Sequence, residues 1–188
     1  MTEQSIGIAA AGDKDKAIAT LELAFAADPV MRWFWPDAAV YRATFSKFVG
    51  AIAGGAFEQG TALWHDDGHA VALWLAPGFK SDDDALLPIM LESVEPGLLT
   101  DLSAFADIIG EHHPVVDHWY LPITGVDPFV QGRGFGSMLL HHASRRVISK
   151  SCRRTSRRQL CGAGSSMNDT DSGRPVRSRS EPLRGSGR

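Results

Sequence analysis

Three glycines two positions apart, Gly132, Gly134 and Gly136, sit in the stretch Gln131-Gly132-Arg133-Gly134-Phe135-Gly136-Ser137, just before the apolar run Met138-Leu139-Leu140. Glycine lets a chain turn tightly and approach a bulky ligand, because no Cβ intervenes. The residues that follow read as a helix. A helix start leaves backbone N–H groups without partners at the positive end of its dipole. Such a loop suits an anion, commonly a phosphate, and Arg133 adds a charge-assisted contact.

Two common nucleotide motifs do not fit. The nucleoside-triphosphate loop ends in Gly-Lys-Ser/Thr, whereas Gly136 is followed by Ser137 and Met138. The dinucleotide fingerprint spaces its glycines as G-x-G-x-x-G, and this loop reads G-x-G-x-G. The pattern Q-x-x-G-x-G from Gln131 to Gly136, preceded by a strand ending in Val126-Asp127-Pro128, resembles the acetyl-CoA-binding motif of the GCN5-related N-acetyltransferases. The resemblance covers roughly residues 1–143. It implies an α/β (α+β) fold with a mixed, mostly antiparallel central sheet flanked by helices, acetyl-CoA as cosubstrate and a small-molecule amine as acceptor. Carried over position by position, it implies that Thr124, Gly125 and Val126 line the thioester end. By the same carry-over, Gln131, Gly132, Arg133, Gly134, Phe135, Gly136 and Ser137 hold the phosphates. The segment "AFAADPVMRWFWPD" resembles the early helix-to-loop stretch that helps form the acceptor pocket in some of these enzymes.

Acetyl transfer to an amine needs a base for the ammonium and an acid for the departing thiolate. In several members of the family the base is a Glu or His eleven positions before the opening Gln; here Tyr120 stands there, a poor base near neutral pH. Strand alternation puts His118 on the same face as Tyr120, and an imidazole titrates in the useful range. His118 and Tyr120 are therefore the catalytic candidates, with a plain strand histidine as the other reading of His118. Glu111-His112-His113 form a second cluster, but adjacent residues rarely converge on one ligand. His65 and His69 flank a predicted turn, and no metal site is expected at either place. In the family a tyrosine in a segment like L-Y-E-R-H-G-F protonates the thiolate, and residues 144–188 contain no such segment.

The elements that must position these residues follow from periodicity. "SIGIAAA" reads as a short strand and "GDKDKAIATLELAFAADP" as an amphipathic helix ending at Asp28-Pro29. A second helix carries Tyr41, Phe45, Phe48 and Ile52 along one face, with an irregular end at Gly54-Gly55. "TALWHDDGHAVALWLAP" reads as a hairpin turning at Asp66-Asp67-Gly68. Residues 81–114 read as mainly helical but broken at Pro88 and Pro96. "DHWYLPITGV" is a strand whose internal Pro122 favours an edge or a bulge.

The formal net charge of −3 conceals two unlike parts. Residues 1–144 carry 7 basic and 19 acidic side chains, and residues 145–188 carry 12 basic and 3 acidic ones. Every Phe, Trp and Tyr lies in the first part, as neither cysteine does, since Cys152 and Cys161 both fall in the second. The chain therefore divides into a domain over 1–144 and an Arg/Ser/Gly-rich tail over 145–188, expected to be disordered because it has too little apolar surface to offset its ordering entropy. A disulfide framework is not expected in the domain. With no basic-then-apolar leader and no bilayer-length apolar run, a cytoplasmic protein without membrane association is expected.

Such a tail is what a GC-rich gene yields when read out of frame. One base back, the codons of Ser166-Met167-Asn168-Asp169-Thr170-Asp171-Ser172 are compatible with Y-E-R-H-G-F, the missing tyrosine segment. Those of residues 151–158 are compatible with L-P-A-Y-L-E-A, which resembles the strand after the motif helix. The expectation is a frameshift between about Ala143 and Val147, with the C-terminal strands missing. Two other readings stand beside an acetyltransferase. One is a truncated, catalytically impaired relic that retains at most coenzyme A binding. The other is nucleic-acid or acidic-partner binding by the tail, which the absence of aromatics for base stacking disfavours.

Overall fold

A computed structural model of the chain describes residues 5–65 and 67–155, with side chains as far as residue 145. Strand β1 (Ile6–Ile8) is followed by helices α1 (Lys14–Phe25), α2 (Pro29–Phe34), α3 (Ala38–Ala53) and the short α4 (Gly55–Glu58). The hairpin β2 (Ala62–His65) and β3 (Ala70–Leu75) comes next, then α5 (Asp83–Ser93), α6 (Leu99–His112), β4 (Tyr120–Val126) and α7 (Phe135–Thr155). The four strands pair antiparallel in the order β1-β2-β3-β4. This is the expected α/β class: a mostly antiparallel sheet flanked by helices.

Local chemistry explains the helix starts. Asp28 caps α2 by accepting from the N–H groups of Val30 and Met31 at 2.9 and 3.0 Å, with Pro29 preset for the first helical position. Asp37 caps α3 through Ala39 and Val40, and Asp82 caps α5 through Ala85. The hairpin turns where the acidic Asp-Asp-Gly run predicts it, with Gly68 at φ 76°.

Alternation along the strands sorts two cores onto the two faces of the sheet. Val71, Leu73 and Leu75 of β3 pack with Ala17 and Leu21 of α1 and with Phe45 of α3. Ala70 and Ala72, one residue out of phase, face Phe135, Leu139 and Ala143 of α7 together with Leu63 of β2. The first core is the aromatic one, with Trp35, Tyr41 and Phe45 fully enclosed. The Tyr41 hydroxyl donates to the Glu22 carbonyl at 2.7 Å, and burial pushes its phenol well above the usual range, with the Glu22 carboxylate adding to the shift.

Two expectations need correction. Pro88 does not break the helical stretch, since α5 runs through it. Pro88 lies on the exposed side, and the carbonyl its missing N–H leaves free belongs to Asp84 in the solvent-facing first turn. The strand predicted from Asp117 begins only at Tyr120, which leaves His118 in the preceding connection. Pro96 opens a separate 3-10 turn, Pro96–Leu98, as a break there requires.

No helix among the described residues is long and apolar enough to cross a membrane. Helix α7 carries the chain to Thr155. The rest of the tail, including the span where a shifted frame would restore the tyrosine segment, lies outside the described residues. Among those residues the sheet ends at β4, whose second edge carries no strand.

Candidate functional site

Strand β4 is the backbone of the site. Its C-terminal half follows β3 in register, with Ile123 opposite Leu73 and Thr124 opposite Ala72. Tyr120, however, pairs with Leu75, so Leu121 and Pro122 together face the single residue Trp74. This is a β-bulge, and Pro122, which has no N–H to offer a ladder, sits in it as the sequence suggests. The Thr124 hydroxyl donates to the Val71 carbonyl at 3.0 Å, tying the strand to its neighbour.

Gly125 has a different reason for being glycine. A Cβ there would lie 2.8 Å from Ala24 Cβ and 3.0 Å from Leu21 Cδ2, so the residue is what lets α1 lie this close to β4. On that face the space is filled by protein. Only its backbone remains for a ligand.

After Val126 the chain turns through Pro128–Val130, where the Asp127 carboxylate accepts from Phe129 N–H at 2.9 Å. The Gln131 side-chain amide donates back to the Val126 carbonyl at 3.1 Å, so the first residue of the glycine loop is fastened to the end of the strand. Gly132 and Gly134 take φ of 78° and 85°, the left-handed region that a side chain resists. Met138 N–H bonds Gly134 O at 3.0 Å, so the N–H groups of Phe135, Gly136 and Ser137 lie ahead of the helical ladder. Val126, Gln131, Gly132, Gly134, Phe135, Gly136 and Ser137 line a recess of about 360 Å³ at this point. The exposed guanidinium of Arg133 stands on the same loop.

Phe135 plays two parts. The residue is one of those lining the recess, and its buried side chain packs the helix start against the sheet. Behind it lie His65 and His69, with ring centroids 4.7 and 5.7 Å from that of Phe135. His65 is 1% exposed; its Nδ1 accepts from Asp67 N–H at 3.3 Å, and its Nε2 has no partner among the described residues. These histidines thus support the glycine loop from behind. No group of three or more potential metal ligands occurs among the described residues.

At the other end of β4 three rings meet. His113, the residue just after α6, has its ring centroid 4.8 Å from His118 and 4.6 Å from Tyr120, while His118 and Tyr120 are 6.3 Å apart. His118 is near Tyr120, but through a loop and not through strand alternation. Its Nδ1 lies 2.8 Å from the Val116 carbonyl, which can only accept, so Nδ1 carries a proton and a lone pair can stand only at Nε2. His112 turns the other way, with Nδ1 2.8 Å from Ile108 O on its own helix.

The structure therefore brings the cofactor candidates Val126, Gln131, Gly132, Gly134, Phe135, Gly136 and Ser137 to one recess. It groups His118 with Tyr120 at the far end of the strand. Sequence reasoning set His113 aside because it adjoins His112, yet the helix ends between them and separates their directions. The proximity of His65 and His69 to Phe135 had no sequence signal beyond the hairpin.

No protein-family model matches the chain. It is similar to a solved structure described as histone acetyltransferase HPA2 and related acetyltransferase from Corynebacterium glutamicum. The identity is 26% and the TM-score 0.50, over 77% of this chain and 72% of that one. It is also similar to mosquito arylalkylamine N-acetyltransferase like 5b, with 16% identity and a TM-score of 0.44 over 80% and 72% of the two chains. The first likeness agrees with the sheet and helix arrangement described above: the fold is of the acetyltransferase type.

Proposed function

We propose that the chain is an acetyl-CoA-dependent N-acetyltransferase acting on the amine of a small-molecule acceptor. The observation that carries this reading is the junction of β4 and α7. Two left-handed glycines turn the chain so that the first amides of α7 face a recess, and Gln131 locks that turn to the strand. These residues fit a diphosphate: free helix-start N–H groups, open space beside Gly132 and Gly134, and the Arg133 charge. The likeness to an acetyltransferase at 26% identity supports the same choice of ligand.

Acetyl-CoA bound there supplies an activated acetyl thioester. The loop holds the anionic end, and Thr124, Gly125 and Val126 offer an extended strand along which the rest of the molecule lies. Strand β4 runs from Tyr120 in the ring cluster to Val126 at the recess, six steps of about 3.3 Å each. There Nε2 of His118 accepts the proton of the acceptor's ammonium, freeing the nitrogen lone pair for attack. Tyr120 holds the family's base position without a base's chemistry near neutral pH, so that role passes to His118. The acidic excess of residues 1–144 favours encounter with a cationic amine.

Thermal unfolding with and without acetyl-CoA tests the binding, followed by thiol release with a panel of amines. Saturating ligand at about 100 times Kd is expected to stabilise the fold by about 2.7 kcal/mol. No shift would remove the reading. A shift without thiol release with any amine would select the impaired relic. The tail over 145–188 belongs to the same proposal as an out-of-frame segment. Resequencing across the codons of Ala143 to Val147 tests it, and an intact frame with third bases that forbid the shifted segments would sink it.

A further inference from the structure

We propose that His113, at the end of α6, is a positioning residue for His118, holding that imidazole beside the first residue of β4 for proton removal from the acceptor. The inference rests on the acetyltransferase reading for its chemistry, but its structural half stands alone. The connection from Pro114 to Asp117 is exposed, with Val115 and Val116 projecting into solvent, so nothing in that segment can fix the His118 side chain by burial. Two contacts fix it. One is the Nδ1–H bond to the Val116 carbonyl two residues back, which sets the tautomer only while the ring is held within reach of that carbonyl. The other is the His113 ring, which is closer to both His118 and Tyr120 than those two are to each other.

His113 is suited to this. Helix α6 ends at His112, and the residue after it leaves helical geometry, with ψ of 130°, so the chain turns off the helix there, while the His112 ring stays on its own helix at Ile108 O. Its N–H still bonds the Gly110 carbonyl at 3.2 Å, so its backbone remains anchored while its ring reaches the β4 side. Tyr120 in turn packs against the aromatic core, giving the cluster a fixed wall. The acidic residues adjoining these histidines in sequence are Asp117, whose carboxylate lies close to Gly78, and Glu111 on the last turn of α6. The proton step is a plain transfer: the acceptor's N–H bond breaks, an N–H bond forms at His118 Nε2, and the ring becomes a cation. His113 neither gains nor loses an atom.

Two measurements on the full chain test this. The first is a long-range proton–nitrogen correlation of the histidine rings at pH 8.5, where unperturbed imidazoles are neutral. The wild type is expected to hold His118 in the Nδ1–H form, H113A to average it with the other tautomer, and H113F, which keeps a ring in place, to restore it. An unchanged His118 signal in H113A overturns the positioning role, whether or not the chain turns over. The second is thiol release from acetyl-CoA with benzylamine as the probe amine. H113A is expected to lower kcat about tenfold at unchanged acetyl-CoA affinity, H113F to recover most of it, and H113A/H118A to be no worse than H118A. Multiplying losses in the double variant, or an H118A variant as fast as wild type, overturns the catalytic half. Loss of acetyl-CoA binding in the wild type would defeat the acetyltransferase reading instead, and the tautomer result would still decide the contact.

Discussion

Replacing Gly125 by alanine separates two roles that the same residue carries. The resemblance gives it a place beside the cosubstrate, whereas the structure places α1 against its Cα. The added methyl would lie 2.8 Å from Ala24 Cβ, 3.0 Å from Leu21 Cδ2 and 3.5 Å from Phe25 Cε2. Ordinary contacts of this kind begin near 3.4 Å, so the nearest neighbour must retreat by more than half an ångström. Ala24 Cβ is fixed to the helix backbone and Leu21 is completely buried, so neither can swing aside and the whole of α1 must shift. Overpacking of this kind costs about 2 kcal/mol, within the usual range of 1–3. For a domain of this size that is a fall in Tm of roughly 4–8 °C, read by thermal unfolding followed in the far ultraviolet. The double variant Ala24→Gly/Gly125→Ala should recover part of the loss. Glycine in α1 costs about 1 kcal/mol alone but vacates the clashing position, so the two changes should be less than additive. A Gly125→Ala protein with wild-type Tm would refute the close approach of α1 to β4. Unchanged Tm with weakened acetyl-CoA binding would return Gly125 to a purely ligand-lining role.

Gly134→Ala tests the loop by another route. No atom lies within 4 Å of the added Cβ, so the cost of about 1–2 kcal/mol comes only from φ of 85°. Thermal unfolding should show that loss, and the stabilisation by acetyl-CoA should shrink as the loop relaxes out of its left-handed turn. Asp37 gives a pH prediction. Its carboxylate accepts from Val40 and Ala39 N–H, in that order of effect, and these bonds lower its pKa below the usual 3.8. The folded value lies below the unfolded one, so the contribution is complete above about pH 4 and is lost as pH falls through the folded value. Denaturant unfolding of wild type and Asp37→Asn should therefore differ at pH 6 and converge towards pH 3. An equal gap at both would deny the carboxylate a role in capping α3.

Much of the scaffold was legible because it depends on local patterns. The face of Tyr41, Phe45 and Phe48 predicts α3, and Asp28-Pro29 predicts the stop after α1 and in fact also starts α2. Asp-Asp-Gly predicts the hairpin. The glycine loop was legible for the same reason: positive φ at Gly132 and Gly134 is a property of the residues themselves. Pro88 misled because the cost of a proline in a helix depends on where the orphaned carbonyl lies, and it belongs to Asp84, an exposed residue of the first turn. What the sequence could not reveal are distances between elements. Gly125 against Ala24, His65 behind Phe135 and His113 against Tyr120 all join segments far apart in the chain, or a helix end to a strand start. No periodicity reports them.

His118 shows how one irregularity governs the rest of the site. Along a regular strand, residues three apart face opposite sides, yet Tyr120 and Ile123 both pack into the aromatic core. The extra residue at Leu121-Pro122 makes this possible by resetting the alternation within β4. Leu121 turns to the α7 side, and from Ile123 onward the phase is regular again, which puts Val126 on the α7 side at the recess. Without the bulge, a strand that delivers Val126 to the glycine loop would turn Tyr120 towards α7 and away from His113. The glycine loop proposed to hold an anion and the ring cluster proposed to take a proton are thus served by one strand only because Pro122 interrupts it. Counting positions back from Gln131 arrives at Tyr120. It carries no information on His113, since the bulge and the end of α6 together bring that imidazole beside it.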